Sequence, residues 1–196
     1  MKKKIIFLFC VLILALALGG FFYWQQHREI KGSPNDYVIK QTPEGTFVEN
    51  KKAGLVVKVP EEWKAEKINE GEGSVILYSP EIGKNLIEKK IDSPLKNGCI
   101  IETSIMYRKM DFSDLKLEAK YNLSFLQPNS VEFKEIKINN YKALKTIADT
   151  QKIGPGIGID IPYKKKVHSF LLLYSYQKKE DCLEKFNNFL GQISIK

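Results

Sequence analysis

Gly54-Leu55-Val56-Val57-Lys58-Val59-Pro60-Glu61-Glu62-Trp63 is the stretch that decides the fold of this chain. Its first half is rich in β-branched residues and stops at a proline, which is typical of a strand. Strand patterns recur at 74–80 and at 99–107, and the second is almost continuously apolar, which indicates a central position in a sheet. Short turns separate consecutive strands. The pattern therefore predicts an antiparallel sheet, because parallel strands need long crossover connections.

Two helical patterns interrupt the strands. The first is capped by Asp111 or Ser113 and ends at Pro128. We expect its apolar residues to form a broad buried stripe, made of Leu115, Ala119, Leu123 and Leu126 with Leu117, Tyr121 and Phe125 beside them. Asp181 and Glu184 resemble a capping box at the start of a terminal helix. The order of strands, helix, hairpins and helix predicts an α+β fold.

The later strands are predicted at 132–138, 141–147 and 168–176, with a tight hairpin turn at Asn139-Asn140. Between them lies the only glycine-rich stretch, Gly154-Pro155-Gly156-Ile157-Gly158. No helix pattern follows it, so it does not resemble a phosphate-binding loop. It is interpreted as a flexible hairpin loop, and Gly154, Gly156 and Gly158 are the candidate recognition loop.

The first 24 residues predict where the chain is located. Met1-Lys2-Lys3-Lys4 precedes an uninterrupted apolar run from Ile5 to Trp24, and about 20 apolar residues span a bilayer as a helix. The lysines should stay cytoplasmic, which places the rest of the chain outside the cytoplasm. Two alternatives stay open. A retained single-pass anchor is favoured by the aromatic end of the run, and a cleaved signal by the A-x-A-like site Ala15-Leu16-Ala17.

Residues 25–36 are charged and contain Gly, Ser and Pro without apolar periodicity, so they are interpreted as a linker. Residues 37–196 have a suitable length for one domain with one core. The formal net charge is +8, and without the three leader lysines it falls to about +5. The densest basic run, Lys164-Lys165-Lys166, suits a turn and has no interleaved aromatic residues, so we expect no nucleic-acid partner.

Two cysteines lie outside the leader, Cys99 and Cys182. In an oxidising compartment they can form a disulfide, and the alternative is two separately buried thiols. The bridge would close a loop of more than 80 residues, which is worth on the order of 4 kcal/mol in the chain-entropy model.

Catalytic patterns are weak in this sequence. His27 and His168 are the two histidines, and neither has a His or Cys partner at metal-ligand spacing. A serine or cysteine nucleophile usually needs a histidine base, and His168 is the only one in the predicted domain. It is interpreted as a polar residue at the start of a strand. We therefore expect no metal, no cofactor and no catalytic residue.

The stretch from Gly54 to Trp63, a glycine, an apolar strand, a proline and then a tryptophan, resembles the opening of PsbP-like domains. Ile138-Asn139-Asn140-Tyr141-Lys142-Ala143 resembles the hairpin of that family, and the strand at 170–176 followed by a helix at 181–193 is also similar. The resemblance covers residues 37–196. It implies an α-β-α sandwich around an antiparallel sheet and a non-enzymatic binding or assembly module, and no site residue is carried over from the family.

These observations lead to one expected function and one alternative. The first is a membrane-anchored extracytoplasmic module that binds an unknown protein or envelope component and catalyses nothing. The alternative is a small cell-envelope hydrolase that uses His168, which would require this residue to lie in a pocket beside a nucleophile. A photosystem role is not expected, because the leader is short and lysine-led, unlike a thylakoid transit peptide.

Overall fold

The computed structural model describes residues 32–68, 73–83 and 93–196. The predicted anchor at 1–24 and most of the predicted linker at 25–36 lie outside these ranges. The last linker positions form a short 3-10 helix, Pro34–Asp36, in which the Ser33 side chain accepts a hydrogen bond from the Asn35 amide. No helix within the described ranges is long and apolar enough to cross a membrane.

A four-stranded antiparallel sheet begins the domain and is completed by the last residues of the chain. Its strands follow the spatial order β1-β2-β3-β11. The turn between β1 and β2 is tight, because Thr42 pairs directly with Gly45. The bounds of the strands are β1 Tyr37–Thr42, β2 Gly45–Asn50, β3 Leu55–Lys58 and β11 Ser194–Ile195.

A seven-stranded antiparallel sheet makes up most of the domain, in the order β4-β5-β6-β10-β9-β8-β7. The bounds are β4 Lys64–Ile68, β5 Ser74–Tyr78, β6 Cys99–Met106, β7 Pro128–Ile138, β8 Tyr141–Thr150, β9 Gly154–Tyr163 and β10 Lys166–Tyr174. The prediction that β6 is an inner strand is confirmed, since it pairs with β5 and β10. The predicted turn at Asn139-Asn140 is also confirmed, and Asn139 takes a φ of +52°.

Two α-helices belong to the described chain, α1 at Phe112–Ser124 and α2 at Lys179–Gly191. Asp111 caps α1 as predicted, accepting hydrogen bonds from the Ser113 and Asp114 amides. The capping box predicted at the start of α2 is wrong. Helical winding begins earlier, since a 3-10 helix at Tyr176–Lys178 leads directly into α2 and leaves Asp181 inside its first turn.

One face of the seven-stranded sheet, the packed face, is covered by α2 and by the four-stranded sheet. Phe170 of β10 packs edge to face against Phe189 of α2, with ring centroids 5.6 Å apart. Both sheets and α2 contribute to one buried core, which includes Val48, Leu55, Val57, Ile101, Ile159, Leu172, Phe186 and Leu190. This core also buries Trp63, the last residue of the stretch that decides the fold.

The opposite face, the cavity face, carries α1. Leu115 packs there against Leu144 and Val167, and it is the only residue of α1 that is fully buried. The predicted broad buried stripe is therefore wrong. The helix meets the sheet along one narrow line, so three apolar residues one turn apart point to solvent: Leu117, Tyr121 and Phe125 are 71%, 65% and 56% exposed.

Candidate functional site

A cavity of about 320 Å³ lies between α1 and the cavity face of the seven-stranded sheet. Its wall is the inner side of α1, including Ala119 and Leu123, and its floor comes from β6, β8, β9 and β10. The floor consists mostly of small or short polar residues: Ser104, Thr146, Ala148, Gly154, Gly156, Gly158, Asp160 and Ser169. Over these residues no large side chain fills the space between the helix and the sheet, whereas Met106, Leu171 and Leu173 border it.

The candidate recognition loop is part of this floor, but it is not a loop. Gly154, Gly156 and Gly158 belong to strand β9, which pairs with β8 and β10 along most of its length. Glycine and proline are strong turn signals, and they favour a loop interpretation of this stretch. The same residues also contain a strand pattern. Ile157, Ile159 and Ile161 alternate with small residues, and this period of two is the signal that predicts a strand with one apolar face.

The fold requires glycine to a different degree at the three glycine positions of the floor. Gly154 has a φ of +78°, which favours glycine. A Cβ on Gly156 would lie 3.0 Å from Leu173 Cδ2 and 3.1 Å from the Leu172 carbonyl oxygen, so a side chain there requires these neighbours to shift by a few tenths of an ångström. A Cβ on Gly158 would meet only Thr146 Cβ, at 3.7 Å, which is an ordinary contact. Neither the backbone nor the packing of the fold therefore requires glycine at 158.

A polar row runs along the cavity face of the sheet and reaches the floor of the cavity at Ser104, Ser169 and Asp160. Register pairs Ser74 with Ser104, Ser104 with Ser169, and Ser169 with Asp160, on four neighbouring strands. The Ser169 hydroxyl donates a 2.6 Å hydrogen bond to Asp160 Oδ1. Burial raises the pKa of the Asp160 carboxyl, the Ser169 hydrogen bond opposes that rise, and the nearby Glu118 adds to it.

Further polar groups border the same space. Thr146 is 7% exposed, and its hydroxyl has no hydrogen-bond partner among the described residues. Glu118 extends from α1 to the edge of the cavity and forms an ion pair with Arg108. The cavity therefore combines apolar walls with a few polar groups, which is the usual composition of a small-molecule site.

Two other recesses of the described surface differ from the cavity in charge. One lies beside Trp63 and measures about 440 Å³, and its lining mixes Lys58 and Lys185 with Glu44, Glu61 and Glu62. The other lies between α2 and the β7–β8 hairpin and measures about 570 Å³, with Lys137, Lys145 and Lys179 in its lining. The described lining of the cavity beside α1 contains Glu118 and Asp160 and no basic side chain.

The sequence predicts His168 as a polar residue at the start of a strand, and the structure differs. It is fully buried within β10, where it pairs with Ile105 and Ile161. Within the described chain neither ring nitrogen has a hydrogen-bond partner. Burial lowers the pKa of the imidazole to about 4, and the positive charge of Lys166 adds to this effect. Such a placement gives no support to a hydrolase centred on His168.

Cys99 and Cys182 form the disulfide that was the first of the two alternatives. The bond joins β6 to α2 across the packed face, with the two Cα atoms 5.7 Å apart. Both residues are buried, at 1% and 0% exposure. Two positions separated by 83 residues in the sequence are thus tied together on the face opposite the cavity. No cluster of metal-ligating side chains occurs in the ranges that the structure describes.

The chain is a sheet-rich α+β protein with antiparallel sheets and two α-helices in its described part. No family model matches it, and no curated protein matches its sequence. Solved structures with a similar arrangement include a protein from Bacteroides thetaiotaomicron, with a TM-score of 0.47 and 12% identity over 85% of this chain. The chain spans 49% of the length of that protein.

A second similar structure is the solution structure of cyanobacterial PsbP (CyanoP) from Synechocystis. Its TM-score is 0.47 and its identity is 7%, over 82% of this chain and 93% of that chain. At this level of similarity no residue role passes from either protein to this chain.

Proposed function

We propose that this chain is a membrane-anchored, extracytoplasmic binding module that catalyses nothing, and that its ligand occupies the cavity between α1 and the seven-stranded sheet. The expected envelope component is thus a small molecule held in the domain. The cavity volume of about 320 Å³ lies at the lower end of the range that is usual for ligand pockets, about 300–1,000 Å³.

Gly158 is the observation that carries this proposal. A glycine inside a strand destabilises a protein by roughly 0.5–1 kcal/mol relative to alanine. At this position a Cβ would make one ordinary contact and no clash. The stability of the fold therefore gains nothing from having glycine there in place of alanine. Strand glycines without a packing reason often mark a place where a ligand approaches the backbone closely. A bound molecule resting on the floor at Gly158 explains the residue.

The proposed location is supported by the leader and by the disulfide. Disulfides persist in oxidising compartments and are rare in the cytosol, so the Cys99–Cys182 bond favours a domain outside the cytoplasm. The topology is tested by fusing alkaline phosphatase to the C-terminus, which we expect to be active in cells. The mass of the mature chain distinguishes a retained anchor from cleavage after Ala17.

Kinship with PsbP-like proteins is also part of the proposal. It is supported by the sequence from Gly54 to Trp63 and by the hairpin at 138–143. We propose that the chain shares the α-β-α sandwich of that family and its use as a binding or assembly module.

The binding function is tested by mass spectrometry of small molecules that remain bound to the full chain purified from membranes. We expect one compound at close to one equivalent in the wild type. In Gly158→Leu the new side chain would occupy the cavity, and the compound should be lost. A wild-type chain that carries no compound above the blank, or a variant that keeps it, would contradict the proposal.

The matched control is Gly191→Leu. Gly191 ends α2, and apart from its chain neighbours and the backbone of its own helix no heavy atom lies within 4 Å of the position its Cβ would take. The same substitution there leaves the cavity unchanged, so the compound should be retained. Near-ultraviolet circular dichroism of both variants verifies that each remains folded.

A further inference from the structure

The polar groups of the cavity indicate what kind of molecule it holds, if it is the ligand site proposed above. The walls are apolar, from Leu115, Leu123 and Leu126 of the α1 side and Leu171 and Leu173 of β10. An apolar wall favours a ligand with a hydrocarbon or aromatic body. The specificity must then come from the few polar groups that line the floor and the edge.

Asp160 is the polar group of the cavity whose charge is least compensated by its surroundings. It lies near the middle of β9, where β8 and β10 flank it, and it is only partly accessible to solvent. The one described hydrogen bond to its carboxylate comes from the Ser169 hydroxyl, at 2.6 Å. None of the ion pairs found between described residues involves it. A carboxylate in such surroundings is destabilised unless a cation or more donors reach it.

The rest of the cavity does not supply that cation. No lysine, arginine or histidine is found among its described lining residues. Arg108, at the outer edge, is already paired with Glu118. Because Glu118 is paired with Arg108, the negative potential of the interior comes mainly from Asp160, and it would repel an anionic ligand and attract a cationic one.

We infer that the cavity binds a small amphiphile with a primary amine head, which places its ammonium group against Asp160 and its apolar body along α1. The ammonium donates hydrogen bonds to the Asp160 carboxylate, and such charge-assisted bonds are about twice as strong as neutral ones. Folding has already removed much of the water from this carboxylate, so the ligand does not bear that part of the desolvation penalty. The Ser169 hydroxyl, which donates to Asp160, keeps lone pairs that can accept a further ammonium proton.

Hexylamine, hexan-1-ol and hexanoate are suitable probes, because each has six carbons, they carry different head groups and they are soluble in water. Their affinities are measured by isothermal titration calorimetry on the full chain in lipid nanodiscs, with empty nanodiscs as the blank. Hydrogen bonds to charged groups are worth about 1.5–3 kcal/mol. We therefore expect hexylamine to bind at least about tenfold more tightly than hexanol at neutral pH, and hexanoate to bind most weakly.

Asp160→Asn keeps the shape of the side chain and removes its charge. In this variant hexylamine and hexanol should bind about equally, with hexanol affinity close to that of the wild type. The matched control is Asp149→Asn, the same substitution on the neighbouring strand β8, at a carboxylate that accepts a hydrogen bond from Tyr176 and does not line the cavity. It should keep the preference for the amine.

The outcomes separate the ligand class from the ligand site. Equal binding of hexylamine and hexanol to the wild type, tighter binding of hexanoate, or an amine preference that survives in Asp160→Asn would overturn the amine proposal alone. Failure of every probe to bind the wild type, or undiminished binding to Gly158→Leu, would overturn the cavity as a ligand site as well.

Discussion

The two faces of the seven-stranded sheet are covered by one helix each, and only one of them is closed. On the packed face, α2 buries Cys182, Phe186, Phe189 and Leu190 and the four-stranded sheet fills the remaining area. On the cavity face, α1 buries Leu115 alone and leaves about 320 Å³ over a floor of small residues. The comparison indicates that stability is concentrated on one face, which leaves the other free for binding.

The largest expected effect of breaking the packed face is loss of the disulfide. In the double variant Cys99→Ala/Cys182→Ala the unfolded chain regains the freedom of an 83-residue separation. We expect the free energy of unfolding in urea to fall by on the order of 4 kcal/mol, with binding of hexanol unchanged. A loss below about 1 kcal/mol would show that the bond contributes little to the stability of this face.

The burial of His168 on the packed face predicts that the free energy of unfolding falls in acid. The pKa of His168 falls to about 4 in the folded state, from about 6.5 in an unfolded chain. The unfolded state therefore takes up the proton first, and stability that is present above pH 6.5 is lost as the pH falls toward 4. The loss should reach about 3 kcal/mol. Urea denaturation of wild type and His168→Leu at pH 7 and pH 4 measures it; parallel pH profiles would contradict the prediction.

Asp160 on the cavity face should respond to pH in the opposite direction. Its pKa is raised in the folded state, so its contribution to stability is present at low pH and is lost as the pH rises through the raised pKa. Asp160→Asn should thus increase the free energy of unfolding at pH 7 and not at pH 3. We expect a smaller change than for His168, because Asp160 keeps some solvent and a hydrogen bond from Ser169. Unfolding of the variant at the two pH values measures it, and a variant less stable than the wild type at pH 7 would argue against an unpaired carboxylate.

Most strands could be predicted from sequence because apolar alternation and turn residues act locally. Such signals predict where β5 and β6 begin and end, to within a few residues. They also predict the turn at Asn139-Asn140 and the cap at Asp111. The disulfide remained one of two alternatives, because its geometry depends on how α2 packs on β6. The burial of His168 depends on that packing too.

The candidate site could be predicted only in part. The glycines at 154, 156 and 158 stood out, but their composition resembled a loop, and their role as a floor depends on where α1 lies. The amphipathic pattern of α1 predicted a broad contact, and pattern alone does not report how wide the opposing surface is. Asp160 gave no sequence signal, since its environment is created by strand register with Ser169.

A pair of glycine substitutions distinguishes the cavity from the rest of the fold. Gly158→Ala and Gly191→Ala each place a methyl group where no clash is expected, so each should raise the free energy of unfolding by about 0.4–1 kcal/mol. Only Gly158→Ala should weaken hexanol binding, because only that methyl group enters the cavity. Thermal unfolding and calorimetry measure the two effects, and equal loss of binding in both variants would argue against a specific role for Gly158.

The smallest expected effect lies on the outer side of α1. Leu117, Tyr121 and Phe125 are each more than half exposed, so single replacements by serine should change the free energy of unfolding by no more than about 0.5 kcal/mol. Leu115→Ala is the control on the same helix, and its buried side chain should cost about 2–5 kcal/mol. Urea denaturation compares them. Large losses at the exposed positions would mean that α1 packs more widely than its single buried residue indicates, and that the two faces of the sheet differ less than described.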